Sequence, residues 1–395
     1  MIKQIISFIY RTLFNIVTAI FPVNKKIVLF ESFNGNIPSD NPLAIYNAMV
    51  QDEEFANWNL YWGIKKANLL EAKAMYPEMN FLSRYSMKWL WVASRAGFWI
   101  FNARMSNWFK KNKQTVYFQT WHGTPLKKLG LDIKNVVMPG TNTKSYQDSF
   151  IKESKRWDYL VAPNEYSKEI FKHAFAFENN FLDIGYPRND RLVQANNEFI
   201  VNQLKKELLG EKRGNVFLYA PTWRDDYFIS KGNYKFNMPF KLEKMIQLLD
   251  KEDLLIIRPH YLVKDSIDID GYENQVRVCV DEDINDLFLI ADCLITDYSS
   301  VMFDFAILKK PMIFYAYDLV HYENEVRGFY FDYDSLPGPI CKDETSFYNA
   351  IKNFYTETSK KNLNDKKYLE FYNKFCSWEN GEASLKVAEL IKASN

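Results

Sequence analysis

Two of the chain's four histidines, His122 and His260, directly follow strand-like runs, in TVYFQTWHGTP (residues 115–125) and DLLIIRPH (residues 253–260). An imidazole at a strand mouth, beside open backbone amides, has the chemistry for proton transfer next to a phosphate. His173 lies in a polar helical stretch and reads as a surface residue, while His321, in YDLVHYENEVRGFYFDY, has no clear role. Other strand-like runs lead into groups of the same kind. GYPR brings Arg188, PTWRD brings Thr222, Trp223 and Arg224, and IIRPH brings Arg258 and Pro259. A lone loop arginine is usually only solvated. Three in equivalent places suit the bidentate contacts that a diphosphate needs. TDYSSVMFD (residues 296–304) puts Ser299 and Ser300 where a strand gives way to a helix. They cap that helix, or face an anion with it, and the two roles are compatible. Asp304, one turn in, is placed to accept from a nucleotide or ribose hydroxyl, or to stabilise the helix dipole. Trp121 and Trp223 stack on a ligand or pack in the core, and core packing is the plainer reading of either alone.

These groups need strands to hold them. Strand-like runs at residues 26–30, 60–64, 98–102, 115–120, 159–162 and 181–184 alternate with helical stretches. After a polar helix at 193–209 the alternation resumes with 215–220, 254–258, 275–280, 293–296 and 311–315. Short apolar strands alternating with helices predict an α/β fold with parallel sheets covered on both faces. The charged, glycine-bearing run KKELLGEKRG (residues 205–214) is the expected linker. The predicted architecture is two doubly wound Rossmann-like domains, 23–205 and 206–395, facing a cleft. Such sheets bind ligands at the carboxyl ends of their strands, where the groups above collect. Residues 2–21 predict an amphipathic helix, with Ile2, Ile5, Ile6, Ile9, Leu13, Ile16, Val17 and Ile20 on one face and Lys3, Gln4, Ser7, Arg11, Asn15 and Thr18 on the other. Arg11 at its middle disfavours a span. An interfacial helix on an anionic membrane surface is expected, against a helix packed on its own domain.

Composition narrows the classes. The 395 residues predict two or three domains at about 150 residues each. Fifty Lys and Arg balance forty-nine Asp and Glu, which disfavours nucleic acid as a partner. Cys279, Cys293, Cys341 and Cys376 form no CxxC pair and read as buried free thiols. There is no GxxxxGK[ST], no GxGxxG after the first strand and no zinc spacing. The acidic run at residues 281–283 reads as a helix cap rather than a metal pair, so no metal site is expected.

WHGTP, GYPRND, PTWRDD, RPHY, ITDYSS and the long run from Lys309 to Pro339 resemble the CDP-glycerol glycerophosphotransferases, primases and polymerases of bacterial wall teichoic acid. The resemblance spans roughly residues 25–375. It implies a glycosyltransferase-B fold and peripheral association with the cytoplasmic face of the cell membrane. It also implies transfer of glycerol phosphate from CDP-glycerol to a hydroxyl of an undecaprenyl-diphosphate-linked saccharide acceptor, with release of CMP. His122 and His260 match the catalytic histidines. Trp121, Gly123, Thr124, Pro125, Arg188, Thr222, Trp223, Arg224, Arg258, Pro259, Ser299, Ser300 and Asp304 match positions that hold the donor. The family's long polymerases carry a large extra N-terminal region, so this chain looks more like the short members, primases included. No cofactor is expected; Mg²⁺ is compatible with the donor but not demanded. His122 is assigned as the base, and His260, Arg224, Arg258 and the Ser299–Ser300 helix terminus as stabilisers of developing charge. A ribitol-phosphate transferase of the same family and a nucleotide-sugar glycosyltransferase remain alternatives.

Overall fold

The alternation read from the sequence becomes two parallel sheets. The computed structural model describes residues 2–136, 141–210, 214–222, 228–230, 233–234, 238–259, 267–319, 328–356 and 365–394. The chain divides into two units, one of Met1–Gly123, Leu129–Asp190 and Trp378–Asn395, the other of Thr124–Lys128 and Arg191–Ser377.

In the first unit, strands β1 (Asn24–Glu31), β2 (Asn59–Ile64), β3 (Asn80–Ser83), β4 (Ala96–Phe101), β5 (Val116–Gln119), β6 (Tyr159–Ala162) and β7 (Asn180–Asp183) form a sheet ordered β3-β2-β1-β4-β5-β6-β7. Every pairing is parallel. The continuous apolar run AGFWIF of β4 is buried throughout, as a strand covered on both faces must be. One face packs Val28, Phe30, Trp62, Ile100 and Phe118 against Ile45 and Met49 of helix α2 (Asp40–Gln51). The second unit repeats the plan with β8 (Val216–Tyr219), β11 (Leu254–Ile257), β12 (Val276–Val278), β13 (Cys293–Thr296), β14 (Met312–Tyr315) and β15 (Ile340–Cys341), ordered β12-β11-β8-β13-β14-β15. All of these pairs are parallel too. A small antiparallel pair, β9 (Phe228–Ser230) and β10 (Asn233–Tyr234), stands outside that sheet. Each large sheet contains the 3-2-1-4-5-6 order of a doubly wound fold, whose switch point lies between its first and fourth strands. That point falls at β1/β4 in the first unit and at β8/β13 in the second.

The division differs from the one expected at residues 205–214. It falls at Asp190/Arg191, and the last helix (Ala383–Ala393) returns to the first unit because Val387, Ala388 and Ile391 complete that core. Strands β3 and β15 and the helix Met87–Arg95 escaped the sequence reading. They are short, or lie next to an apolar strand that masks their period.

Helix α1 (Ile2–Ile20) forms as expected but docks through a stripe of its own. Phe14, Val17 and Thr18 are buried; Phe14 stacks on Trp89 and Tyr10 donates to the Ser86 carbonyl. Thr18, assigned to the polar face, is buried because its hydroxyl donates to the Phe14 carbonyl within the helix. Ile5, Ile6, Phe8, Ile9, Ile16 and Ile20 stay exposed. Among the described residues no helix is long and apolar enough to cross a membrane.

Candidate active site

His122 stands three residues beyond β5, in a setting built from the ends of three strands. Its Nδ1–H donates to the Asn102 carbonyl just past β4 (2.6 Å), which leaves Nε2 as the unprotonated nitrogen of the neutral ring. Trp121 stacks on the imidazole at 4.6 Å, and Phe33, past β1, meets it edge-on at 5.5 Å. Burial pushes the His122 pKa below its ordinary value; the Asn102 carbonyl and Asp40 oppose that shift and Arg188 adds to it. The ring is therefore held as a neutral base at neutral pH.

Trp121 is in the left-handed region (φ 53°) with its side chain buried against Phe175 (4.5 Å), so it buttresses the imidazole from the core. Its carbonyl accepts from the Asn41 side chain (3.0 Å) and its amide donates to Gln119 (2.9 Å). Gly123 donates to the buried Tyr186 hydroxyl (3.2 Å). The GYPRND run thus holds the histidine loop from behind. Gly185 (φ 84°) has no room for a side chain, since a Cβ would lie 2.6 Å from Glu379, which accepts from the Tyr186 amide and the Asn189 side chain. Arg188 was expected on the donor phosphates. In the first unit its guanidinium pairs with Asp40 at 2.9 Å and lies over the Tyr186 ring. Asp190 accepts from the amides of Ala383 and Ser384 and so fastens the last helix. Tyr186, Asn102, Asp40, Asn41 and Glu379 were given no role in the sequence reading. Only a partner makes an asparagine or carboxylate meaningful, and partners up to 193 residues away leave no local pattern.

In the second unit, the groups after β8, β11 and β13 meet along one rim. Asp297 is the hub: its Oδ1 accepts from the amides of Thr222 (2.7 Å) and Tyr298 (2.6 Å), and its carbonyl from the Tyr333 hydroxyl. Thr296 donates to the Ala220 carbonyl, tying the same two loops one residue earlier. Thr222 Oγ1 is buried with no hydrogen-bond partner among the described residues. Ser300 stands at the N-cap of the helix Val301–Phe305 without a side-chain capping bond, and Ser299 Oγ accepts a long 3.5 Å contact from Val301 among the described residues. Both serines are half-buried and Asp304 is buried. Arg258 follows β11, with Nη1 donating to the Cys279 carbonyl (3.2 Å) and Glu282 at 4.0 Å; burial works against its charge and the acidic run at 281–283 supports it. Pro259 is buried, and Asp283 caps its helix through the Asn285 amide, as expected of that run. Thr124 and Pro125 are buried and belong to the second unit, where neighbouring Lys128 donates to the Gly328 carbonyl. His260, Trp223, Arg224 and His321 lie outside the described residues. No group of three or more His, Cys, Asp or Glu able to hold a metal occurs among the described residues. The four cysteines are buried free thiols.

A model of the family CDP-Glycerol:Poly(glycerophosphate) glycerophosphotransferase matches residues 13–393. The chain is 45% identical to the teichoic acid glycerol-phosphate transferase of Staphylococcus aureus (strain NCTC 8325 / PS 47), over 99% of this chain and 98% of that protein. It is 42% identical to the teichoic acid poly(glycerol phosphate) polymerase of Bacillus spizizenii (strain ATCC 23059 / NRRL B-14472 / W23), over 98% of this chain and 97% of that one. That polymerase is matched along almost its whole length, so shortness does not mark a primase. Among solved structures, the wall teichoic acid polymerase TagF superposes with a TM-score of 0.88 at 38% identity, covering 99% of this chain and 95% of that chain. A histidine-to-asparagine variant of that polymerase soaked with CDPG gives 0.87, covering 97% and 92%. A family match across nearly the whole length, end-to-end relatives above 40% identity and the shared fold lead to one conclusion: this chain is an enzyme and belongs to the CDP-glycerol:poly(glycerophosphate) glycerophosphotransferase family.

Proposed function

We propose that this enzyme moves glycerol phosphate from CDP-glycerol to a hydroxyl of a membrane lipid-linked acceptor in teichoic acid synthesis. The acceptor oxygen bonds to the glycerol-bearing phosphorus, the bond from that phosphorus to the bridging oxygen breaks, and CMP departs with that oxygen. The proton lost by the acceptor goes to His122. The observation that carries the reading is the His122 tautomer. With Nδ1–H committed to the Asn102 carbonyl and the ring held neutral, Nε2 can take a proton at neutral pH. On the donor side Arg258, the Ser299–Ser300 turn and the loop pinned by Asp297 are assigned to the nucleotide and its phosphates, with His260 and Arg224 as further donors. The motifs demand no resident metal, and a divalent ion bound with the diphosphate is compatible with them.

Attachment to the cytoplasmic face of the membrane is assigned to the open face of α1. There Ile5, Ile6, Ile9, Ile16 and Ile20 are about half or more exposed, and Phe21 extends the face by meeting Trp91 at 4.9 Å. Arg95 lies over that tryptophan at 4.5 Å, and Lys25 and Lys26 are exposed nearby in sequence, as contact with anionic headgroups favours. The test is to incubate the full chain with CDP-glycerol, CDP-ribitol or a UDP-sugar and a lipid-linked disaccharide. Acceptor-dependent CMP release from CDP-glycerol is expected; turnover of only CDP-ribitol or a UDP-sugar would replace the reading.

A further inference from the structure

The tight turn after β1 belongs to none of the recognised motifs, yet it borders the base. Phe33, Asn34 and Gly35 are three successive residues in the left-handed region, at φ 46°, 61° and 89°. Trp121 and Asp40, the other non-glycine residues around His122 with positive φ, add 53° and 61°. Left-handed backbone is unfavourable for residues with a side chain and persists where its surroundings force it, most often at functional sites. The surroundings here are explicit. The Phe33 amide donates to Asn102 Oδ1 (2.7 Å), Arg84 Nη1 donates to the Asn34 carbonyl (3.0 Å), and the Lys65 amide donates to the Gly35 carbonyl (2.7 Å). Arg84 is itself fixed by buried Glu31 at 3.0 Å.

This scaffolding holds an aromatic ring partly in the open. Phe33 is 36% exposed while its ring meets the His122 imidazole at 5.5 Å and 63°. Asn102 is fully buried and does two jobs, its carbonyl setting the His122 tautomer and its side chain holding Phe33. Asn102 Nδ2 has no hydrogen-bond partner among the described residues, which leaves a donor beside the base. Both residues sit at the β1/β4 switch point of the first sheet, where doubly wound folds take their ligands.

We propose that Phe33, anchored by Asn102, is an acceptor-selecting residue: its ring seats the carbon chain of a polyol phosphate terminus against His122 and keeps water from Nε2. The inference rests on the glycerophosphate-transfer reading and extends it to the choice between a hydroxyl and water. When water attacks the same phosphorus, its oxygen forms the new bond, CMP leaves, and free glycerol phosphate results. The site must suppress that reaction whenever donor is bound without acceptor.

The test uses the full chain with CDP-glycerol and a short-chain soluble glycerol phosphate acceptor. Transfer, acceptor-independent CMP release and donor affinity are measured for Phe33→Ala and Phe33→Tyr. Phe33→Ala is expected to lower kcat/KM for the acceptor by about 10-fold or more and to raise donor hydrolysis by about 2-fold or more. Phe33→Tyr, which keeps the ring, is expected to stay within about 3-fold of the parent on both. Opposite movement of the two rates is a signature that general loosening does not give. Transfer and hydrolysis falling together, or an unchanged ratio, would overturn the proposal. A parent enzyme that releases no CMP from CDP-glycerol with acceptor present would overturn the transfer reading and this inference with it. Melting curves guard against misfolding, and the exposure of Phe33 makes the Phe33 pair a safer probe than buried Asn102.

Discussion

Replacing His122 by alanine removes the nitrogen assigned to the acceptor proton while leaving intact the donor-binding residues assigned to the second unit. General-base catalysis contributes about 10²–10⁴ in rate, or about 2.7–5.4 kcal/mol of transition-state stabilisation. The structure argues against a small effect, because the imidazole is fixed by a 2.6 Å hydrogen bond and by rings on two sides. A preorganised base loses its full contribution on removal. The expected result is a fall in kcat of at least about 10²-fold, with CDP-glycerol affinity by calorimetry near that of the parent. The pH profile gives an independent check. Burial places the His122 pKa below its ordinary 6.5. The acid limb of kcat/KM should therefore have its midpoint below that value, with the rate level through neutrality and the limb gone in the alanine variant. Stability follows the same sign. With the folded pKa below the unfolded one, the unfolded chain binds more protons between them. The contribution of His122 to stability is thus full above pH 6.5 and lost as pH falls through the folded pKa. Asp40 favours the charged ring and Arg188 disfavours it, so Asp40→Asn should move the limb to lower pH and Arg188→Gln to higher pH. A parent limb above 6.5, shifts in the same direction, or an alanine variant within a few-fold of the parent would refute the assignment.

Arg258→Ala should cost about 1.5–3 kcal/mol in donor or transition-state binding, with Arg258→Lys recovering only part; near-parental turnover for both would make Arg258 a support for Cys279 and nothing more. Breaking the buried Glu31–Arg84 pair from either side should cost about 3–5 kcal/mol in urea unfolding. The Glu31→Leu/Arg84→Met double variant should recover most of that, less about 1–3 kcal/mol for the Trp89 Nε1–H that Glu31 accepts, and additive losses would show the two groups to be uncoupled. A protein beginning near Pro22 should lose co-sedimentation with anionic vesicles while keeping donor affinity. Five half-exposed isoleucines, each worth up to about 1.5–3 kcal/mol when fully buried, exceed what reversible attachment needs, and undiminished sedimentation would move the contact off α1.

The parallel strands other than β3 and β15 were legible because each is a short apolar run ending at a glycine, proline or polar cluster. CLIT at 293–296 was placed to the residue, and VYFQ at 116–119 to within one residue at each end. What the sequence hid was partnership. Arg188 was read as a phosphate ligand, and its carboxylate partner was not visible in the sequence. Asp40, 148 residues earlier, supplies that carboxylate for Arg188. Helix α1 shows the same limit in another form. Its hydrophobic face was visible from the period alone, but docking uses Tyr10, Phe14, Val17 and Thr18, a stripe chosen by the aromatic pocket of Trp89, Trp108 and Phe109 rather than by polarity.

On the proposed mechanism the two units use one sheet plan for different chemical work, and the loops at their switch points differ accordingly. In the second unit, β8 and β13 end in loops tied by Asp297 and Thr296; among the described residues this leaves the Thr222 hydroxyl without a partner and the Ser299–Ser300 turn weakly bonded, hydroxyls suited to anions. In the first, β1 and β4 end in Phe33 and Asn102, which supply an aromatic wall and a tautomer lock for an imidazole. Neither arrangement suits the other's task. A turn of serine and threonine hydroxyls has no base with which to activate an acceptor, and a neutral histidine flanked by aromatic rings has little to offer a diphosphate. Among the described residues, left-handed non-glycine positions include Phe33, Asn34, Asp40 and Trp121 around the base, Tyr85 and Ala176 elsewhere in the first unit, and Lys309 in the second, which closes a 3-10 turn at the amino-terminal end of β14. Around His122 the left-handed backbone is held by named partners, as the aiming of a single ring requires.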